Sequence, residues 1–559
     1  MSVEAHTGLL ENARDRWVAT SSLLLGMIAY TMAIMMANVA LPQIMTSLRA
    51  DLDYAQWILT AFGIAQTVVM PMVGWLTSLW GHRNLYLGSL SLFCLGSTLS
   101  ALAWSTASLI CFRVLTGMGV GLMQPIIMAM LYQIFPPHQR GLAIGLSMVG
   151  WSVGPAVGPI LGGYLIEAFN WRAAFYISIP LAIGGLVSAF IFLPPLPQPP
   201  RRSMDQMGLL TMTVALVTLL MAISQGRREG WGSSYILTLF TIAIGMLLLF
   251  LLIEWRKSSP LVELRLFRYL PFTLGCLVVA ISTTVFRGTG LLTIIFLQQV
   301  LRFTPSDVGW ALLAGSIAYG IAVLVAGRLA DRINPRLLVI TGLGIFSTAF
   351  FWFAGVNEVV ATPVLIFFLS LRLVSFGVTG SPNNLSAMRG LPEEHVVMGS
   401  GLLSLIRSIS GTVGTALAAI IYEHRYSYHA QQLADNSSLH LFGFQEALNA
   451  VRTTLHWAGE IPATLSLKAH VLLRQRLLTE ATIAAYQDYF LFAALVGVLA
   501  MIAALPFPEL VDVLHRARRR YLLSPTLRRD SREERSPQAE QKAILPVPGA
   551  LKISRSIRK

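Results

Sequence analysis

Gly74-Trp-Leu-Thr-Ser-Leu-Trp-Gly-His-Arg83 returns in altered form as Gly327-Arg-Leu-Ala-Asp-Arg-Ile-Asn-Pro-Arg336. Both decapeptides open on Gly-x-Leu, close on a basic residue and join two apolar runs. Two runs further on, Arg113-Val-Leu-Thr-Gly117 is echoed by Arg372-Leu-Val-Ser-Phe-Gly377. A chain that repeats loop, charged run and glycine-rich run in this order holds two related halves.

Around this repeat the composition is that of a membrane protein. Of 559 residues, 55% are hydrophobic and 12% charged, more apolar surface than a water-soluble domain can hide. A bilayer-spanning helix takes about 20 apolar residues. Runs of that kind fall near 18–40, 56–78, 84–104, 107–131, 141–166, 174–193, 207–224, 235–253, 271–300, 308–328, 337–355, 362–387, 398–422 and 487–505. The expected fold is therefore an all-α polytopic membrane protein with 14 spans, two six-helix halves and two additional helices between them.

With both termini inside, the short inner loops carry twelve Lys and Arg, among them Arg83, Arg140, Arg328, Arg336 and Arg389, against five in the short outer loops. That asymmetry predicts cytoplasmic termini. Much of the net charge of +14 lies between Arg516 and Lys559, which reads as an inner-face tail, either touching anionic lipid or disordered, and not as a nucleic-acid binder. The polar start carries Glu4, Glu11 and Asp15, and the first span reads as retained, not as a cleaved signal peptide.

The domain order follows: a cytoplasmic N-terminal tail, 1–17; a six-helix bundle, 18–193; a Pro-rich linker, 194–206, too rich in proline for a helix; two extra helices, 207–253; a second six-helix bundle, 271–505; and a basic cytoplasmic tail, 506–559. Residues 423–486 are too long for a plain loop and contain the amphipathic runs Phe444–Trp457 and Leu465–Tyr486, so an ordered outer insertion is expected there.

The chain resembles the major facilitator superfamily over roughly 17–505. Within it, the closest pattern is the fourteen-helix drug:proton antiporter branch, in particular EmrB/QacA-type export permeases. Carrying the resemblance are Asn38-Val-Ala-Leu-Pro42, Gln56-Trp-Ile-Leu-Thr60, Pro71-Met-Val-Gly-Trp-Leu76, Phe135-Pro-Pro-His-Gln-Arg140, Gly154-Pro-Ala-Val-Gly-Pro-Ile-Leu-Gly-Gly-Tyr164, Asn170-Trp-Arg172 and Ile406-Arg407-Ser-Ile-Ser-Gly-Thr-Val-Gly414. It implies a secondary-active exporter of small amphipathic molecules in the bacterial inner membrane, with a role in antibiotic resistance. It also implies a periplasmic adaptor and an outer-membrane channel as partners. Conformational roles are implied for Gly74, Gly81, Arg83 and Asp331 in the loop motifs, and for Gly154, Pro155, Gly158 and Gly163 in the antiporter motif. Read physically, Gly150, Gly154, Gly158 and Gly162 recur every four residues and make one smooth helix face for close packing.

The departures from the family pattern bear on substrate and coupling. Family members usually carry Asp five residues before the Asn of the first-span motif, and here that position is Ala33; Ser78 and Ser224 stand at two other positions where the family has acids. Meanwhile Arg113, Arg287, Arg372 and Arg407 lie inside apolar runs, where a central Arg costs about 2.5–3.5 kcal/mol on insertion scales and normally faces a bundle interior or a watery cavity. A cationic core without carboxylates favours an amphipathic anion or a neutral amphiphile over a lipophilic cation. Asn38, Trp57 and Gln124, with Gln66, Gln298 and Tyr319, are further candidates to line the cavity, against the plainer reading of polar glue between helices.

No phosphate-binding loop, zinc-peptidase helix or nucleophile elbow occurs, and Cys94, Cys111 and Cys276 lie far apart in sequence. Neither an enzyme nor a cofactor nor a metal is expected. The competing function is a transport-deficient relative acting as a membrane scaffold or sensor, suggested by Ala33 and Ser78.

Overall fold

The computed structural model describes residues 12–505 apart from 51, 197, 199–200, 202, 204, 258–261, 304, 440 and 459–461, and leaves out the side chains at 52–53, 155, 159–160, 305–306, 393, 436–439, 441–444, 447 and 462–465. Residues 1–11 of the N-terminal tail, the basic tail 506–559 and the Pro155 side chain thus lie outside the described residues.

Helices make up the described chain. The first half holds α1 (Ala13–Leu48), α2 (Leu52–Val69), α3 (Val73–Ala101), α4 (Thr106–Ile134), α5 (Arg140–Ala168), the single turn α6 (Ala173–Tyr176) and α7 (Ser178–Phe192). The hairpin α8 (Gln206–Glu229) and α9 (Ser234–Arg256) follows. The second half holds α10 (Leu270–Gln299), α11 (Pro305–Ala330), α12 (Pro335–Phe353), α13 (Thr362–Arg389), α14 (Val396–Leu439), α15 (Leu441–Trp457) and α16 (Pro462–Ala504). Helix starts follow local chemistry: Ser105 and Ser108 form a reciprocal cap on α4, Asp205 accepts from the Gly208 N–H to cap α8, and Asn334 caps α12 ahead of Pro335.

Thirteen helical segments are long and apolar enough to cross a membrane. One of them, Tyr54–Ala101, has 48 residues, about 70 Å at 1.5 Å per residue against a hydrocarbon core of about 30 Å. It contains two crossings, because the backbone turns at Gly81, where φ is +76° and ψ 165°, values outside the helical range that an L side chain rarely adopts. The Gln198 side chain, from the Pro-rich linker, donates to the Ser78 and Leu79 carbonyls beside this turn.

Packing repeats between the halves. α1 lies on α5 and α7 as α10 lies on α14 and α16; α2 pairs with α4 as α11 pairs with α13; α3 lies on α4 as α12 lies on α13. The glycine face of α5 is what lets α1 approach: a Cβ at Gly154 would stand 2.6 Å from the Thr31 carbonyl, one at Gly150 2.9 Å from Met27 Sδ, and one at Gly158 2.6 Å from Met35 Cβ. Gly162 closes the row on Met36, while Gly163 faces open space.

Two boundaries differ from the sequence reading. The helix of the first span begins at Ala13, within the stretch expected to be tail, because Arg14, Asp15 and Arg16 continue the helix one turn past the apolar run. The outer insertion is not separate from its flanking spans: α14 continues unbroken for 44 residues and α16 for 43, and α15 packs between their extensions. Arg425 Nε and His429 Nε2 both meet Asp488 Oδ2 at 2.6 Å and tie the two long helices together.

Candidate functional site: the seam between the halves

Among the described residues, the hydrogen bonds that join the two six-helix halves lie at mid-helix or toward the face that carries the basic loops. α5 and α11 cross where Gly141 and Gly327 meet backbone to backbone, so close that a Cβ on Gly327 would stand 2.5 Å from the Gly141 carbonyl oxygen. Ser381 Oγ reaches that same carbonyl at 3.5 Å. Asp331, just past the end of α11, accepts from the backbone N–H groups of Gly141 (2.9 Å) and Leu142 (3.1 Å) at the start of α5, and from Arg389 Nη2 at 3.0 Å. A carboxylate at a helix N-terminus meets free N–H donors and the positive end of the helix dipole. Burial pushes the Asp331 carboxyl above the usual carboxylate range, against the lowering by the Gly141 and Leu142 N–H groups, Arg389 and His138.

The other seam is weaker in charge. Gly74 packs against Met398 at ordinary contact distance, and Ser78, where the second copy has Asp331, donates to its own helix at Trp75 O. Ser400 donates to the Pro125 carbonyl, and Thr67, in the last turn of α2, shares a 2.6 Å hydroxyl contact with Ser408 in the first third of α14. Arg83 stays within its own half, where it donates to the Phe190 carbonyl and lies over the Phe190 ring.

The four buried-run arginines take different surroundings. Arg113 is 1% exposed, lies 4.2 Å over the Phe62 ring and donates weakly to Ile58 O, all inside the first half. Arg372 is 4% exposed and is held by Phe286 O at 2.9 Å, Thr289 Oγ1 at 3.4 Å and the Phe286 ring at 4.5 Å. Gly290 leaves the room: a Cβ there would stand 2.7 Å from Arg372 Nη2.

Arg407 and Arg287 lie where the halves face each other. Arg407 Nη2 donates to Asn384 Oδ1 at 2.9 Å, and the guanidinium interacts electrostatically with Tyr30 of α1, Tyr319 of α11 and Arg287. Arg287 runs along α14, its Cγ 3.3 Å and Nε 3.5 Å from where a Cβ on Gly411 would sit, one turn beyond Arg407. It is exposed although it lies near the middle of α10. No described contact brings Asn38, Trp57 or Gln124 to these arginines: Asn38 is exposed on α1, Trp57 half-buried on α2 and Gln124 buried on α4.

Tyr30, Asn384 and the Thr67–Ser408 pair are the residues that reading the sequence missed at this seam. The doublet Asn383-Asn384 in an apolar run was the available signal. Tyr30 carried none, since a lone Tyr in a span reads as packing.

A bundle of two equivalent six-helix halves, joined at one face by contacts between them, is the architecture of a membrane transporter. The chain belongs to the major facilitator superfamily, whose model matches residues 23–415. It is similar to the multidrug export protein EmrB of Haemophilus influenzae, 30% identical over 72% of this chain and 79% of that one. The uncharacterized MFS-type transporter YhcA of Bacillus subtilis is 26% identical over 89% of this chain and 94% of its own length. Among solved structures, the human organic anion transporter MFSD10 superposes with a TM-score of 0.57 at 16% identity, covering 88% of this chain and 99% of that one, a likeness of fold. The chain is a multi-pass membrane transporter of the efflux-permease kind and not an enzyme.

Proposed function

We propose that this transporter is a secondary-active exporter of small amphipathic molecules that works by alternating access. The observation that carries the reading is the seam at Asp331 and Gly141, which joins the halves at one face with contacts that a rocking motion can break and remake. The basic loops at that face support a cytoplasmic side for it and for both termini in a bacterial inner membrane, and with them the reading of the closed seam as an outward-facing state. The EmrB relatives, named for multidrug export, support efflux as the direction. With no phosphate-binding loop in the chain, the energy comes from an ion gradient, and proton coupling has to be achieved with Ala33 at the family's acidic position.

The long extensions of α14 and α16 support docking of a periplasmic adaptor that leads to an outer-membrane channel. At about 1.5 Å per residue each helix is about 65 Å long, roughly twice the hydrocarbon core, so its far end stands clear of the bilayer. Trp457, Leu467 and Val471 are exposed there, and exposed apolar groups beyond the membrane suit a protein partner.

The test is flux from proteoliposomes under an imposed pH gradient, alongside maleimide labelling of a cysteine placed at Ser381 in a cysteine-free background. Substrate-dependent flux with gradient-dependent labelling supports the exporter. Labelling that no gradient or solute changes, with no flux, favours the scaffold or sensor that Ala33 and Ser78 suggest.

A further inference from the structure

We infer that Arg287 and Arg407 form an anion-binding site that takes the headgroup of an amphipathic organic anion, a carboxylate or sulfonate joined to an apolar or aromatic body. This rests on the exporter reading and names the chemistry of its cargo.

Three observations carry it. First, Arg287 of α10 lies along α14 one turn beyond Arg407, the two guanidinium groups act on each other, and among the described residues no carboxylate acts on either. Like charges brought together in a low-dielectric bundle repel, and burying a charge is costly unless it is paired. Arg372 offsets the cost with the Phe286 carbonyl and ring, and Arg113 offsets part of it with the Phe62 ring and a long contact to Ile58 O; Arg287 has no hydrogen-bond partner among the described residues, and Arg407 has only Asn384. Second, Arg287 is exposed at mid-helix beside Gly411, and Arg407 acts electrostatically on Tyr30 of one half and Tyr319 of the other. The free donors therefore look into the space between the halves. Third, the floor beneath them is closed: Ser408, next to Arg407, meets Thr67, and Asn384, which holds Arg407, reaches Met148 Sδ at 3.9 Å.

The surroundings select the rest of the ligand. Phe286 stacks on Phe376 at 3.9 Å and Phe376 on Tyr319 in the second half, while in the first half Tyr30 of α1 meets Trp151 of α5 edge to face at 6.0 Å. An anion seated on the two arginines would thus rest its body on aromatic faces from both halves. A monoanion satisfies two guanidinium groups through four acceptor positions on its two or three oxygens, which a cation or a neutral amide cannot do.

The test is equilibrium dialysis of the purified full-length chain in neutral detergent with 1-naphthalenesulfonate, against a naphthyl trimethylammonium cation of the same size. Wild type is expected to hold the sulfonate at least about tenfold more tightly than the cation. Arg287→Gln and Arg407→Gln should each weaken sulfonate binding by about tenfold or more, the range of a lost charge-assisted hydrogen bond, and the Lys variants should recover part of it. Arg227→Gln, an exposed surface change, should have no effect. Folding of each variant is scored separately by protection of the Ser381→Cys thiol in the closed seam. Equal binding of the two probes by wild type, or undiminished sulfonate binding in the folded double Gln variant, would overturn the site. Neither result would touch the exporter reading, which is decided by flux of a neutral amphiphile in the same vesicles.

Discussion

Asp331 Oδ1 stands 2.9 Å from the backbone N of Gly141, so a side chain of the second half caps the first turn of a helix in the first. This one contact joins a loop motif of one half to the glycine crossing of the other, and it makes the seam a place where the two conformations of the transporter can be weighed against each other.

Asp331→Ala removes two N–H acceptors and the ion pair with Arg389 together. Charge-assisted hydrogen bonds of this kind are worth about 1.5–3 kcal/mol each before rearrangement, so the population of the open seam should rise more than tenfold. Labelling of a cysteine at Ser381, buried beside Gly141 in the closed form, should speed up by a similar factor.

The same carboxyl gives the seam a pH dependence with a definite sign. Its affinity for a proton is raised by burial in the closed seam and returns to the ordinary carboxylate value when the seam opens. The closed form therefore binds the proton more tightly; its advantage is fully present below the ordinary carboxylate pKa and is lost as pH rises through the raised value. Labelling at position 381 should accelerate with rising pH over that window and level off above it. Asp331→Asn, a permanently neutral carbonyl acceptor, should stay closed and show no such step.

Gly154 and Gly163 separate packing from motif membership. Gly154→Ala puts a methyl 2.6 Å from the Thr31 backbone, which α1 can relieve only by moving away from α5. Overpacking of this kind costs about 1–3 kcal/mol, and the thermal midpoint in detergent should fall by several degrees. Gly163→Ala meets nothing within 4 Å and should leave the midpoint unchanged.

Gly81→Ala tests the turn between the second and third crossings. At φ +76° a Cβ costs about 1–2 kcal/mol although no neighbour obstructs it. Gly88→Ala, equally unobstructed but in regular helix, should be neutral or gain about 1 kcal/mol. Comparing the folded yields of the two variants by size-exclusion chromatography isolates backbone strain from crowding.

Much of this architecture was legible because membrane helices announce themselves twice, by length and by hydropathy, and because the two copies of the loop motif give the halves away. The tight face of α5 could be read from Gly150, Gly154, Gly158 and Gly162, since a four-residue period puts them on one side of a helix. Gly163 follows Gly162 by one residue, yet that step turns it about 100° around the helix, and family likeness alone could not tell packed from open. The arginines show a similar limit. Arg287, Arg372 and Arg407 are equivalent as letters in an apolar run, but only helix rotation decides that Arg372 finds the Phe286 carbonyl while Arg287 lies along Gly411. Asp331 stood out by sequence as the acid kept in one motif copy; that it reaches across to α5 required the fold.

The unbroken length of α14 makes it a lever. Its basic-face end sits at the seam, Arg407 lies about a quarter of the way along, and Leu439 ends it about 48 Å beyond that arginine at 1.5 Å per residue. A tilt of about 10° about the arginine would sweep the far tip through roughly 8 Å by that geometry. Whatever grips the tip holds the long arm, so a modest sideways force there translates into torque at the centre, and a small shift at the centre becomes a stroke that a partner outside the bilayer can feel.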